Sequence, residues 1–358
     1  MTIAYVMGAR PNFVKMAPVV ASLRRRLPDE RHVVVHTGQH YDLGMSAIFL
    51  DELGVGEPDH LLGVGSGSHA VQTARVLERL EPVLEQERPD LVLVPGDVNS
   101  TLAAALVAVK LGIPLAHVES GLRSFDRTMP EEINRIVTDE FSDHLFVHSD
   151  EAVANLAAEG IAANRIHFAG NTMIDSLVAV EPRFRALDAA RRFGLEPGGY
   201  LLVTLHRPAL VDGPLLAAVI DELAALARTL PVLFALHPRT RKMLDPRARA
   251  PGLILTDPLG YLEFLSLEAN AAGVLTDSGG VQEETTYLGV PCFTLRDTTE
   301  RPVTVRLGTN AVLGLDPAAI AEIPTRLREP RPAPVPPPFW DGHAADRIAT
   351  IVETALHP

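Results

Sequence analysis

The chain has 358 residues, a formal net charge of −13 and 47% hydrophobic residues. That length suits two domains, and the apolar content fills two cores. The acidic balance excludes a basic stripe for nucleic acid while leaving room for a local cationic pocket. The single cysteine, Cys292, rules out an intrachain disulfide and reads as a packed strand residue in "GVPCFTL". "MTIAYVMGARPN" lacks the pattern of a signal peptide, and no run approaches the ~18 apolar residues of a membrane span. A cytoplasmic protein without membrane contact is expected.

Short apolar runs come first and recur: "TIAYVM" at 2–7, "HVVVHT" at 32–37, "LVLVPG" at 91–96, "LAHVES" at 115–120 and "HLFVHS" at 144–149. They read as buried parallel strands. Between them, "SHAVQTARVLERLEPVLEQERP" and "NSTLAAALVAVKLGIP" carry helical spacing with polar starts and Gly or Pro stops. A second series follows: "HFAG" (167–170), "YLLVTL" (200–205), "VLFALH" (232–237), "LILTDP" (253–258), "AGVLTD" (272–277) and "PCFTLR" (291–296). Two β/α series predict an α/β protein of two Rossmann-like doubly wound domains facing a cleft. The expected boundaries are 1–166 and 167–340. The proline-rich "REPRPAPVPPPFW" acts as a connector, and a last helix in 341–358 packs back on the first domain.

In a doubly wound sheet, polar residues just past a strand's carboxyl end face the ligand. Here those positions hold Arg10 and Lys15, then Asp97, Glu119, His206 with Arg207, His237, and Ser278-Gly279-Gly280. The last three open a helix, where backbone N–H groups and the helix dipole suit phosphate. Glu284 lies one turn further in, within reach of ribose hydroxyls; the same residues would also serve a plainly capped helix start. "HVESGLRSFDRTMPEEINR" adds Glu131 to Asp97 and Glu119. Three such carboxylates, with pKa values pushed apart by mutual repulsion, suit proton transfer; a solvated acidic first turn after Pro130 is the alternative. Arg10, Lys15, Arg207 and Arg301 are the cations for a diphosphate. "GVGSGS" at 63–68 follows no clear strand and is no dinucleotide fingerprint; zinc, hydrolase-elbow and Walker motifs are absent.

"GARPNFVKMAPV", "TGQHYD", "PGDVNSTLAAAL", "HVESGLRS", "PEEINR", "AGNTMIDSL", "TLHR", "TDSGGVQEE" and "RDTTERP" occur in this order over nearly the whole chain. In this the sequence resembles the non-hydrolysing UDP-N-acetylglucosamine 2-epimerases. The resemblance implies the glycosyltransferase-B arrangement, a homodimer, a place in polysaccharide biosynthesis, and no cofactor or metal. It implies reversible inversion at C2 of UDP-GlcNAc to UDP-ManNAc, through elimination of UDP, a 2-acetamidoglucal and re-addition. Asp97, Glu119 and Glu131 match the acid/base carboxylates and His206 the histidine near the diphosphate. Arg10, Ser278, Gly279, Gly280, Glu284 and Arg301 match UDP-binding positions, Lys15 and His237 further cleft residues, and Tyr261 is placed to flank the uracil.

Two departures stand out. "HRPALVD" puts Pro208 where the family has arginine. After Gln39 and His40, Asp42 stands where the family's activator-binding stretch has a second glutamine. Both point away from activation by UDP-GlcNAc, and the first points to a modified sugar such as a 2,3-diacetamido uronic acid. A hydrolysing variant releasing ManNAc and UDP, a glycosyltransferase of the same architecture and a non-enzymatic sugar-nucleotide binder are the other readings. The three first-domain carboxylates weigh against the last two.

Overall fold

The computed structural model describes residues 1–39, 53–244, 250–330 and 335–357, with Arg10 described in its backbone alone. His40 and Asp42 fall outside the described residues. The chain forms two units, residues Met1–Val178 with Pro338–Pro358, and Ala179–Pro337.

The first unit is built on seven strands: β1 (Thr2–Met7), β2 (Arg31–His36), β3 (His60–Leu61), β4 (Leu91–Pro95), β5 (Leu115–Val118), β6 (His144–Val147) and β7 (Ile166–Phe168). They pair in parallel in the order β3-β2-β1-β4-β5-β6-β7. Strands buried on both faces need apolar side chains throughout, and Ile3 to Met7 and Leu91 to Val94 are all fully or nearly fully buried. Val6, Val35, Val92 and Val94 pack against Val76, Leu80 and Leu84 from the His69–Glu87 helix. The four-residue spacing of those three keeps them on one helix face. Each side chain so buried contributes about 1.5–3 kcal/mol. Ser68 caps that helix, its Oγ accepting from Val71 N, and left-handed Arg88 ends it.

The second unit holds β8 (Leu201–Thr204), β9 (Val232–Ala235), β10 (Leu253–Thr256), β11 (Gly273–Thr276), β12 (Cys292–Thr294) and β13 (Asn310–Val312). Their order is β10-β9-β8-β11-β12-β13, again parallel. Leu201, Val203, Phe234, Leu275 and Phe293 form its centre with Leu223 of the Leu215–Leu226 helix. Cys292 is buried in β12. Both sheets reverse strand order at one point, between β1 and β4 and between β8 and β11, where doubly wound sheets take their ligands.

The boundaries expected from sequence need correction. "HFAG" starts no second series: β7 pairs with β6, His167 opposite Phe146, and closes the edge of the first sheet. The first unit also reclaims residues 338–340. Trp340 Nε1 donates to His148 O at 2.9 Å, and Gly170, at φ +96°, lies so close that a Cβ there would stand 2.1 Å from Phe339 O. The Ala344–Leu356 helix then lies against Arg10–Arg26. Ser22 Oγ donates to Asp346 at 2.6 Å, and Arg25 and Arg26 pair with Asp346 and Glu353. Asp175 accepts from Ala344 N and Ala345 N at that helix's start, at 3.1 and 2.6 Å.

Candidate active site

In the first unit the expected residues gather at the β1/β4 switch point and on β5. Gly96 turns the chain out of β4 in the left-handed region, φ +62°, and presents Asp97. A Cβ on Gly96 would lie 3.0 Å from Lys15 Nζ and 3.4 Å from Glu119 Oε2, so both side chains crowd this turn. Lys15 and Glu119 form a buried ion pair. Glu119 itself sits at φ +68°, a conformation costly for a residue with a side chain and concentrated at functional sites.

The Pro130–Phe141 helix brings Glu131 in its first turn. It also brings Arg135, fully buried, whose Nη1 meets Asp97 Oδ2 at 2.5 Å while Nη2 holds Glu132 at 2.7 Å. Glu132 accepts from Ser124 N and Phe125 N, fixing the preceding loop. Burial alone would raise Glu132, but Arg135 and these N–H groups bring it below its ordinary value. Asn134 Nδ2 donates to Asp97 O at 2.8 Å. Asp97 and Glu119 thus each face a cation, Arg135 and Lys15, where the sequence suggested that the carboxylates would act on one another.

Gln39 is committed inward. Its Oε1 accepts from Ser100 N and Oγ at 3.2 and 2.7 Å, and its carbonyl accepts from Gln72 Nε2. Arg10 opens the Arg10–Arg26 helix directly after β1.

In the second unit the β8/β11 switch point carries a cationic group. His206 and Arg207 follow β8, and the Gly279–Leu288 helix follows β11 with Ser278 at its N-cap. The Ser278 side chain makes no capping bond. Asp277 is fully buried; its Oδ2 accepts from His206 N and Arg207 N, and its Oδ1 lies 2.8 Å from His206 Nδ1. Burial would raise Asp277, but His206 and the two N–H groups lower it. The His206 and His237 rings stand 5.4 Å apart.

Arg301 presses on the helix start: a Cβ on Gly279 would come 2.3 Å from its Nη1, so glycine lets the guanidinium lie directly over the first turn. Its Nε donates to Glu283 at 2.9 Å. Glu300 takes a bidentate pair from Arg296, at 2.6 and 2.9 Å, with Arg207 and Arg301 further out at 3.6 and 3.7 Å. Burial opposes the Glu300 charge, yet the three arginines hold it far below the usual carboxylate range. Three guanidiniums gather here, matched by the carboxylates of Glu300, Glu283 and Asp277, and the N–H groups of the helix N-terminus beside them are what favours an anion.

Glu284 is buried, together with Glu268 of the Tyr261–Ala269 helix and Tyr261 at its start. Burial pushes both carboxyls up; the Glu284 charge adds to this for Glu268, and a hydrogen bond with Tyr261 pulls back on Glu284. Asp277, Glu300, Arg296 and Asn134 escaped sequence reading. All four stand inside the quoted motifs, Asp277 and Glu300 directly before Ser278 and Arg301.

Fold and site define a two-unit Rossmann-like α/β protein. A family model described as UDP-N-acetylglucosamine 2-epimerase matches residues 24–353. The chain is 40% identical over 365 residues to the UDP-N-acetylglucosamine 2-epimerase of Methanocaldococcus jannaschii, covering 98% of this chain and 99% of that one. It is 43% identical over 319 residues to the UDP-2,3-diacetamido-2,3-dideoxy-D-glucuronate 2-epimerase of Pseudomonas aeruginosa, covering 88% of each. Among solved structures it is similar to the M. jannaschii UDP-GlcNAc 2-epimerase in complex with UDP-GlcNAc and UDP. The TM-score there is 0.92 at 40% identity, over 99% of this chain and 100% of that chain. The chain belongs to the UDP-N-acetylglucosamine 2-epimerase family.

Proposed function

We propose that this protein interconverts UDP-GlcNAc and UDP-ManNAc without hydrolysis. Its full-length likeness to relatives named for that epimerisation carries the reading. A carboxylate of the first unit takes the C2 proton, the C1–oxygen bond to UDP breaks, and the C–H electron pair becomes the C1=C2 bond of a 2-acetamidoglucal. A carboxylate on the other face returns a proton to C2, and a UDP oxygen adds back at C1. Asp97, Glu119 and Glu131 are the proton-transfer groups, and two faces need two of them. Lys15 pairs with Glu119 and orients it.

In the second unit, Ser278, Gly279, Gly280 and Arg301 take the diphosphate, with Arg10 as a further cation. His206 and His237 meet the charge that develops on departing UDP. Glu284 receives the ribose and Tyr261 stands beside the base. Homodimer formation and a cytoplasmic place go with this reading, and light scattering at twice the chain mass tests the first.

A proton NMR time course with UDP-GlcNAc in D2O, without added cofactor, tests the reaction. UDP-ManNAc with deuterium at C2 is the expected result; free ManNAc with UDP would assign a hydrolysing enzyme instead. A second reading, a UDP-2,3-diacetamido uronic acid as substrate, is favoured by the 43% identity to the P. aeruginosa relative and by Pro208 after His206-Arg207. No reaction with UDP-GlcNAc and turnover of that sugar would select it.

A further inference from the structure

His117 lies wholly buried on β5, two residues before Glu119. Its Nε2 is 2.7 Å from Gly96 O, and its Nδ1 is 2.6 Å from Asp139 Oδ1. A carbonyl oxygen only accepts, so Nε2 carries a hydrogen. Asp139 is also wholly buried, and its Oδ2 accepts from Gly121 N at 3.1 Å and pairs with Arg123 at 2.8 Å. Burial opposes the Asp139 charge, while the Arg123 guanidinium and the Gly121 N–H, both independent of the His117 ring, favour the carboxylate. An ionised carboxylate at 2.6 Å requires a hydrogen on Nδ1 too. Both ring nitrogens then donate, and the ring is a cation. Arg123 in turn pairs with Glu159 at the surface, so two cations and two anions balance along the chain.

We infer that His117 is a buried imidazolium acting as a positioning residue, tying the Gly96–Asp97 turn to the Pro130–Phe141 helix and so fixing Asp97 relative to Glu131; the role rests on the reading of both as proton-transfer groups. Three side chains pin the turn: His117 at the carbonyl before Asp97, Asn134 at the Asp97 carbonyl and Arg135 at its carboxylate. Asn134 and Arg135 share the helix with Asp139 and Glu131. His117 is the strut from the sheet, and it acts on both elements at once. Without it the Gly96 carbonyl loses its tie to the buried ring and the turn keeps only its other anchors, and a base needs placement within hydrogen-bond reach of its proton.

Two measurements on the full chain test this. Long-range nitrogen–proton NMR of uniformly labelled native protein, with the His117 ring assigned through its own backbone resonances, reads the ring directly. Protons on both nitrogens are expected under the conditions of the activity assay; a neutral tautomer would overturn the inference. In kinetics, folded His117→Gln should lower kcat for C2 proton exchange about tenfold or more, with KM and UDP affinity within about twofold. Asp139→Asn should do the same and release one ring proton. An unchanged kcat in either folded variant overturns the positioning role. Should neither variant fold, the ring signal of the native protein still decides. Wild-type protein that exchanges no C2 proton in either sugar nucleotide overturns the proton-transfer reading, and the ring signal separates that failure from this one.

Discussion

His206 and Asp277 stand 71 positions apart in sequence and meet at 2.8 Å, Nδ1 to Oδ1. The same carboxylate closes the turn after β8 through its other oxygen. One buried anion therefore sets both the ring orientation of His206 and the backbone that carries it.

Asp277→Asn should lower kcat about 10²-fold while leaving substrate affinity nearly intact, because the ring loses its orienting anion. Steady-state kinetics on the folded variant decides it, and an unchanged kcat would remove His206 from the chemistry.

Asp97→Asn and Glu131→Gln should each abolish turnover, a loss of about 3 kcal/mol or more of transition-state stabilisation, and leave UDP binding as it is. Turnover assays paired with calorimetry of UDP check both halves. Full activity in both variants would return these carboxylates to a structural role.

Gly279→Ala should displace Arg301, since the new Cβ would fall 2.3 Å from its Nη1. The guanidinium is the flexible end of a side chain, so the fold tolerates the change. UDP affinity should fall about tenfold, or about 1.4 kcal/mol. Calorimetry beside a melting curve tells lost binding from lost folding.

Gly170→Ala should cost stability instead. It needs φ +96° and would bring Cβ to 2.1 Å from a backbone oxygen of Phe339, which cannot swing aside. A loss of at least about 2 kcal/mol in urea unfolding is expected.

Asp175 gives a pH dependence of stated sign. Burial raises its carboxyl to about 6, outweighing the two N–H groups that favour its charge. In the unfolded chain it titrates near its ordinary, lower value, so the folded state binds the proton more tightly. Its contribution is present in full below that lower value and is lost as pH rises through about 6. Asp175→Asn should therefore gain on wild type across this window, by on the order of 2 kcal/mol. Urea midpoints of both proteins from pH 4 to pH 7 measure it; parallel curves would refute the burial cost.

The strands and their polar ends were legible in the sequence. Runs such as "LVLVPG" and "YLLVTL" are apolar throughout because both faces are covered, and the residue after each is where a doubly wound sheet places its ligands. Partners were not legible. Arg135 reaches Asp97 across 38 positions and Asp139 reaches His117 across 22, and no local pattern announces such pairs. "HFAG" has the look of any strand start, so only its pairing with β6 shows which sheet owns it. β3 has two residues and β13 three, too short for a period to register.

The return of residues 338–358 to the first unit bears on synthesis. The second unit is continuous from Ala179 to Pro337, so every part of it has left the ribosome while the first still lacks the helix that covers Arg10–Arg26. Domains assemble as units during translation. In this chain the half made first waits, with Ser22 and its neighbours uncovered, and the half made later is completed before it.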